Sequence, residues 1–556
     1  MKVIEVLSAT EMQDCDRVTT EQFGVPSLTL MRAASAAVAD FALMQFPAAR
    51  RVLVLCGRGN NGGDGMMAAR LLSDAGLDVT TLLLGAPEAL MGDAATAWME
   101  LTLPVHGRVF VVANAEELER HSDALDADLV VDAVLGAGFK PPLKGLALAS
   151  LEWVRKSNAA FLAVDIPSGW PADATSSTVV GPVFPADAVV TFTSPKPAHV
   201  FGQLTRSWDQ PVVVAPIGSP DEAIVSEQML SWAGASLGMV QRQRVTDSNK
   251  GKYGHVLVVG GSFGSAGGKA GAAAMVGLAA LRAGAGLVTV AVPEPAMVPV
   301  ASIAPELMTW PLQATAEGQA AQKNLDPEFI TTLTAGKTVL AIGPGLGQSA
   351  ETAEFAIGLL KTTKIPAVVD ADALNMLAAR PEVLPDLARG RTLVLTPHPG
   401  EMARLAGISI AEVQMNRLEI ARSFAMLTGA ILVLKGAGTL IARPDGQVAV
   451  NTSGNPGMAK GGSGDVLTGM IAGLVAQHPE DPVHAVEAAV YLHGLAADLA
   501  VRDGDEHTLL ATDGLRYLAR AFQYRGFRVG KDGANRYVWL QGGVLCCGPQ
   551  PRVTSE

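Results

Sequence analysis

Short aliphatic runs and glycine turns alternate along this chain with longer stretches of helical period. Residues 52–55 are aliphatic, a Gly/Asn turn follows, and 66–75 has a helical pattern, the rhythm of a strand feeding a helix. Residues 129–135, 161–166 and 188–192 are further strand candidates, each ending at a Gly, Pro or Ser cluster. The N-terminal segment ahead of Arg51, 28–41 included, predicts helices packed before this sheet. A second series starts at Gly254-His-Val-Leu-Val-Val-Gly-Gly-Ser262 and runs through 287–292, 338–342, 367–370, 392–396 and 431–435. Residues 439–443 and 447–451 flank Pro444-Asp-Gly446, a hairpin signal. The restart predicts two α/β domains, each a parallel sheet covered by helices. The less regular stretch 218–248 reads as the linker. After about Phe522 the pattern fades into a polar, glycine-containing tail, read as an extension without fixed structure or assignable role.

A length of 556 residues exceeds what one core holds, which agrees with two domains. The net charge of −12, with no local Lys/Arg run, argues against a nucleic-acid footprint and for small-molecule partners. Cys15, Cys56, Cys546 and Cys547 fit neither zinc-ligand nor disulfide spacing, so a reducing cytoplasm is expected. The start, Met1-Lys-Val-Ile-Glu-Val, lacks the apolar centre of a signal peptide, and no uncharged apolar run is long enough to span a bilayer.

In the second half, Gly461-Gly-Ser-Gly464, Asp465 and the apolar run 466–475 predict backbone N–H groups gathered at a helix N-terminus, an anion site. Asp465 beside a cradled phosphate suits a base that takes a proton from an attacking hydroxyl. The plainer reading is a glycine turn that caps the helix, with Asp465 as its dipole partner. Upstream, Leu434-Lys-Gly-Ala-Gly-Thr439 sets Lys435 and Thr439 at a strand end, where they can meet the phosphates or ribose of a nucleotide. Gly343-Pro-Gly-Leu-Gly347, Val369-Asp-Ala-Asp-Ala373 and Thr396-Pro-His-Pro-Gly-Glu401 also follow predicted strands, on the side where open α/β sheets bind ligands. His398, held between two prolines, is either a loop histidine or a functional one.

In that order, these motifs, together with Gly260-Gly-Ser, Gly268-Lys-Ala-Gly-Ala272 and Ala280-Leu-Arg-Ala-Gly-Ala-Gly-Leu287, resemble the ADP-dependent NAD(P)H-hydrate dehydratases of the ribokinase-like superfamily. The resemblance spans about 245–518. It implies a hydrate pocket formed by Ala272, Gly345, Gly347, His398 and Asp465, with Asp465 catalytic. It also implies ADP held by Lys435, Gly436, Ala437, Gly438, Thr439 and Gly464, with magnesium on the nucleotide phosphates. Lys460 stands where a small residue is expected.

In the first half, Cys56-Gly-Arg-Gly-Asn-Asn-Gly-Gly-Asp-Gly65 contains a GxGxxG at Gly57, Gly59 and Gly62, which alone suggests a dinucleotide fingerprint and hydride chemistry. Asn60, Asn61 and Asp64 instead crowd the turn with polar tips suited to a ligand or ion. Val131-Asp132, Gly136-Ala-Gly-Phe139 and Val164-Asp-Ile-Pro-Ser-Gly169 add two more polar strand ends. Each aspartate alone reads as a turn or cap residue. Together, Asn61, Asp132 and Ser168 offer oxygen ligands for a hard cation, leaving Asp165 as an acid/base group.

This set resembles the NAD(P)H-hydrate epimerase domain over about residues 4–216, and the fusion resembles the bifunctional NAD(P)H-hydrate repair enzymes. The resemblance implies potassium on Asn61, Asp132 and Ser168. It implies hydrate contacts from Asn60, Asn61, Gly62, Gly63, Asp64, Gly136, Ala137, Gly138, Phe139, Lys140, Pro141, Pro142 and Asp165. Arg32 stands where Glu is common and Ala137 where Thr is common, and the sequence leaves open whether these two departures weaken the epimerase.

The expectation is therefore an α/β protein: a Rossmann-like three-layer αβα epimerase domain at 1–224, a ribokinase-like dehydratase domain at 225–521 and an extension at 522–556. The first domain is expected to interconvert R and S hydrates of NADH and NADPH, with Asp165 in proton transfer. The second is expected to dehydrate the S epimer by phosphorylating the ring hydroxyl from ADP and expelling phosphate, since water leaves poorly. A cytoplasmic homo-oligomer acting on small molecules, without nucleic-acid or membrane partners, completes the expectation. A small-molecule kinase predicts a stable phosphorylated product instead, and a ligand-sensing regulator predicts binding without turnover.

Overall fold

The computed structural model describes residues 3–104, 106–241, 243–264, 267–524, 527–529 and 536–543; Cys546 and Cys547 lie outside them. The chain divides into two compact units, at Ile4–Leu230 with the C-terminal tail and at Ser231–Tyr524.

The first unit is built on a parallel sheet. Its strands lie in the order Arg108–Val112, Asp78–Leu84, Arg51–Cys56, Leu129–Ala133, Ala160–Val164, Ala188–Phe192, Val212–Ala215. The central strands are near-continuous aliphatic runs buried on both faces, as a sheet covered by helices on each side requires. Arg51–Cys56 pairs with Asp78–Leu84 on one side and Leu129–Ala133 on the other. The chain order reverses there, so the loops after these strands diverge and leave a crevice at their carboxyl ends. The turn expected after Cys56 is shorter than the sequence suggests. The helix already begins at Asn60 and runs to Asp74, which sets Asn60, Asn61 and Asp64 on its first turns.

The tail corrects the sequence reading. Arg536–Gln541 is a strand that pairs antiparallel with Val212–Ala215 and extends the first unit's sheet. Tyr537 and Trp539 are almost wholly buried, their rings 5.4 and 5.8 Å from that of Phe41. The Tyr537 hydroxyl donates to the Ala37 carbonyl at 2.8 Å. Alternating aromatic and aliphatic residues in a polar segment were the signal, and the distance in sequence to their partner strand hid it. The helix they clamp, Ser27–Gln45, is long and apolar enough to cross a membrane by length and composition, but half of it is buried in this unit. It buries Leu30, Met31, Ala34, Val38 and Phe41, the stripe of a core helix.

The second unit carries a ten-stranded sheet in the order Met308–Leu312, Leu287–Pro293, His255–Val259, Val339–Ile342, Ala367–Val369, Leu393–Leu395, Ile431–Leu434, Leu440–Ala442, Val448–Val450, Leu230–Trp232. The first seven run parallel, and the hairpin at Pro444-Asp-Gly446 turns the next two antiparallel. The strand Leu230–Trp232 lies inside the stretch read as linker. Gly469 lets the helix Ser463–Gln477 press against Ala270–Arg282: a Cβ at Gly469 would fall 2.1 Å from the Val276 carbonyl oxygen. That contact fixes where the Gly461–Gly464 loop sits.

Candidate functional site

In the first unit, the crevice at the reversal point opens into a cavity of about 590 Å³, within the range of small-molecule sites. Asn60, Asn61, Asp64, Gly136, Ala137, Gly138, Phe139 and Asp165 line it; Gly62, Gly63, Lys140, Pro141 and Pro142 lie beyond the lining. Lys196, Asp16 and Arg58 also line it and were not singled out from the sequence.

Asp165 holds an uncommon backbone position at φ 64°, in the left-handed region where a non-glycine residue is strained by about 1–3 kcal/mol. The surroundings hold it there. Its Oδ1 accepts from Lys196 Nζ at 2.8 Å and Thr191 Oγ1 at 2.9 Å, and its Oδ2 accepts from the Ala137 N–H at 2.9 Å. Its carbonyl oxygen meets His199 Nε2 at 2.7 Å. His199 Nδ1 accepts from the Lys196 N–H, so the neutral ring carries its proton on Nε2 and donates it to Asp165. Burial, then Lys196, push His199 down to about 4, which keeps it neutral. Burial pushes the Asp165 carboxyl up, but the Lys196 charge, with the hydrogen bonds from Lys196 and Thr191, outweighs it and holds Asp165 at about 2. Asp64 differs: burial, then Asp165 and Asp16, raise its carboxyl well above the usual range against the pull of Lys196.

Asp132 and Ser168 form a buried pair, the Ser168 hydroxyl donating to Asp132 Oδ1 at 2.6 Å and its N–H to Oδ2 at 2.8 Å. The Leu135 N–H donates to Ser168 Oγ at 2.8 Å, which ties this pair to the Gly136 loop. A Cβ on Gly136 would fall 3.1 Å from Asn61 Oδ1 and 3.2 Å from Asp165 Oδ2, so glycine lets Asn61 and Asp165 close on the loop. Asn61 Nδ2 is buried without a partner.

Of the two departures noted in the sequence, Arg32 stands away from the cavity lining and Ala137 is part of it. Arg32 is more than half exposed and pairs with Glu100 at 2.6 Å, away from the cavity lining. Ala137 serves Asp165 through its backbone N–H, which any residue there supplies.

In the second unit, Asp465 lies in the first turn of the helix Ser463–Gln477, entered through Gly462 at φ 94°. Beside it, Asp370 is buried with Oδ1 on Lys435 Nζ at 2.8 Å and Oδ2 on Thr468 Oγ1 at 2.7 Å. Gly464 packs over this pair: a Cβ there would stand 3.4 Å from Lys435 Nζ. Burial, then Asp370, raise the Asp465 carboxyl to about 6 against Lys435. Burial opposes the Lys435 charge, yet Asp370, Glu401 and Asp465 outweigh it and raise its pKa. Lys435 therefore joins the aspartate cluster, while the rest of its loop is held by Arg417, which donates to the carbonyls of Leu434, Ala437 and Gly438.

His398 Nδ1 accepts from the N–H groups of Gly400 and Glu401 and caps the helix Pro399–Ala406. Burial, then Lys435 and Arg404, lower its pKa, and with Nδ1 accepting, the neutral ring carries its proton on Nε2, 3.5 Å from Glu401 Oε1. Gly345 packs against Ala272, where a Cβ on Gly345 would stand 3.1 Å from the alanine methyl, and the Gly347 N–H donates to Asp372 Oδ2 at 2.9 Å. Lys460 Nζ is tied to the His507 carbonyl at 2.5 Å. Asp370, Glu401 and Thr468 were missed as functional candidates. The first two stood in quoted motifs, but Thr468 lies in an apolar helix 98 residues from its partner.

Comparison with known proteins accounts for both units. Residues 256–520 match the family model described as NAD(P)H-hydrate dehydratase, and residues 27–198 match the one described as YjeF-related protein N-terminus. The chain is 42% identical over 523 residues to the bifunctional NAD(P)H-hydrate repair enzyme Nnr of Moorella thermoacetica, covering 92% of this chain and 96% of that protein. It is 34% identical over 521 residues to the protein of the same name from Escherichia coli, covering 91% of each. An ADP/ATP-dependent NAD(P)H-hydrate dehydratase from Bacillus subtilis, co-crystallised with ATP/Mg2+, is 34% identical, with a TM-score of 0.44, over 52% of this chain and 96% of that one. With both domains matched and relatives above 30% identity along nearly its whole length, the chain belongs to the family of bifunctional NAD(P)H-hydrate repair enzymes.

Proposed function

We propose that the two units divide the repair of hydrated NADH and NADPH, with Asp165 at the centre of epimerisation and Asp465 at the centre of dehydration. The observation that carries this reading is the meeting of Asp465, Asp370 and Lys435 at the N-terminus of the helix Ser463–Gln477, reached through glycines. Backbone N–H groups there stabilise charge on a phosphoryl group in transfer, and Asp465 takes the proton of the ring hydroxyl that accepts it. Charged Lys435, fixed by Asp370, offsets the negative charge that gathers beside it. His398, its side chain half exposed and its Nε2 3.5 Å from Glu401 Oε1, is the proposed hydrate contact from its loop. The loop Lys435, Gly436, Ala437, Gly438 and Thr439 contributes the nucleotide side, shaped by Arg417.

ADP is the proposed co-substrate. Among the described residues, no group of three or more His, Cys, Asp or Glu is arranged to hold a metal ion, so magnesium, when bound, rests mainly on the nucleotide phosphates and supplies charge neutralisation.

For the first unit, potassium on Asn61, Asp132 and Ser168 fits the donor chemistry. The Asn61 amide has a buried nitrogen with no partner among the described residues, and a half-turn of that amide presents a free oxygen in its place. The cation, when bound, supplies positive charge and orders the loops that carry Asn61 and Gly136. Gly62 and Gly63 belong to the same substrate-contacting turn. The proposal also includes a cytoplasmic, homo-oligomeric enzyme acting on small molecules, in keeping with its acidic charge.

The test is to incubate purified protein with S hydrate and ADP. Recovery of reduced-nicotinamide absorbance with release of inorganic phosphate is the expected result. A stable phosphorylated product indicates a kinase instead, and no recovery with either ADP or ATP overturns the dehydratase assignment.

A further inference from the structure

The first unit's cavity holds a carboxyl group that its hydrogen-bond network leaves unused. Asp64 is more than nine-tenths buried and lines the cavity, and among the described residues its side chain has no hydrogen-bond or ion-pair partner. The other two buried carboxylates of this site are fully engaged: Asp132 by Ser168 and the Val134 N–H, Asp165 by Lys196, Thr191 and the Ala137 N–H. A buried anion without a partner costs several kcal/mol, so a carboxyl in this position sheds its charge by keeping its proton. The charged or titratable groups that face it across the cavity are Asp16 from the helix Ala9–Glu21, Asp93 from Gly92–Thr102, Arg58, Asp165 and Lys196. The only ammonium among them, Lys196, is already paired with Asp165.

We propose that Asp64 is the proton donor to the ring hydroxyl of the bound hydrate, and that Asp165 is the fixed anion opposite it. The assignment rests on the epimerase reading above and gives it a mechanism. Two carboxyl groups whose surroundings push them apart in acidity mark an acid and a base in one site. Burial and the neighbouring carboxylates raise Asp64, while Lys196 and the hydrogen bond from Thr191 overcome burial to lower Asp165.

Hydration of the reduced ring places its hydroxyl on the carbon next to the ring nitrogen, whose lone pair stabilises positive charge there. The Asp64 O–H bond breaks and its proton passes to the hydroxyl oxygen. The C–O bond breaks with its electron pair on oxygen, releasing water, as the nitrogen lone pair forms a C=N double bond. The Asp165 carboxylate offsets the positive ring. The ring then turns its other face to the released water, which adds there and loses a proton to the Asp64 carboxylate as the C=N pair returns to nitrogen. No electron is gained or lost, and water is the only co-reactant.

The test is D64N, which keeps the shape and removes the transferable proton. Epimerisation, followed from R hydrate at steady state, is expected to lose about 10²-fold or more in kcat with KM little changed, the scale of a general acid. Its pH profile loses the alkaline limb, and ADP-dependent dehydration of S hydrate by the same preparation stays at the wild-type rate. D64N that epimerises with wild-type kcat and pH profile overturns the assignment while leaving the epimerase reading intact. Wild-type protein that does not epimerise overturns both. A second measurement covers a variant that fails to fold: carboxyl resonances of the wild-type protein labelled with 13C at aspartate Cγ. A protonated aspartate that persists at pH 8 supports the proposal, and its absence overturns it.

Discussion

Lys196 Nζ lies 2.8 Å from Asp165 Oδ1, and the same ammonium lies 2.8 Å from Thr191 Oγ1, so one buried cation fixes both the charge and the rotamer of the aspartate. Oδ1 is thereby occupied, and Oδ2, held by the Ala137 N–H, is the oxygen left nearer the Gly136 loop and Asn61.

Removing that cation has a predictable cost. Lys196→Met leaves Asp165 buried without its ion-pair partner, which destabilises the first unit by about 3 kcal/mol or more. Urea unfolding measures it. The pH dependence has a definite sign: a carboxyl held at about 2, below its unfolded value near 3.9, contributes stability that is present above pH ~4 and lost as pH falls through 2. In the variant burial raises Asp165 instead, so this acid-side loss disappears and the variant's deficit relative to the wild type shrinks as pH falls.

Asp465 predicts the pH response of the other unit. Because its carboxyl sits at about 6, dehydration with ADP should rise as pH passes upward through 6 and the base becomes available. Asp465→Asn is expected to lower kcat by about 10²–10⁴-fold and abolish that limb, with epimerisation unchanged. A rate that is flat from pH 5 to 8 in the wild type contradicts the base assignment.

The tail strand makes the first unit discontinuous in sequence. Trp539→Ala removes a ring buried against Phe41 and is expected to destabilise that unit by about 3–5 kcal/mol. Stopping the chain after Tyr524 does so more severely, since it also bares the edge of Val212–Ala215. Calorimetry should show the loss in one transition, with ADP-dependent dehydration retained. Equal stability of full-length and shortened chains counts against it.

Potassium leaves its own signature. Titrating KCl into protein held in a large organic-cation salt is expected to raise the melting temperature of the first unit. Asp132→Asn should abolish the increase. A shift that persists in the variant assigns the cation elsewhere.

Much of this protein is written in its local patterns. Aliphatic runs closed by glycine turns predict strands such as Arg51–Cys56 and Ile431–Leu434, because burial on both faces of a parallel sheet leaves no polar alternation. Glycine motifs are legible too: Gly136 lets Asn61 and Asp165 close on its loop, where a Cβ would stand 3.1 Å from Asn61 Oδ1 and 3.2 Å from Asp165 Oδ2. What the tertiary structure alone decided are the partnerships between distant side chains. Lys196 meets Asp165 across 31 residues, Thr468 meets Asp370 across 98, and Tyr537 reaches Ala37 across 500. Period and composition carry no information about such pairs, since each residue taken alone is an ordinary lysine, threonine or tyrosine. Low-dielectric burial gives them their energy, and only the folded sheet brings them within 3 Å.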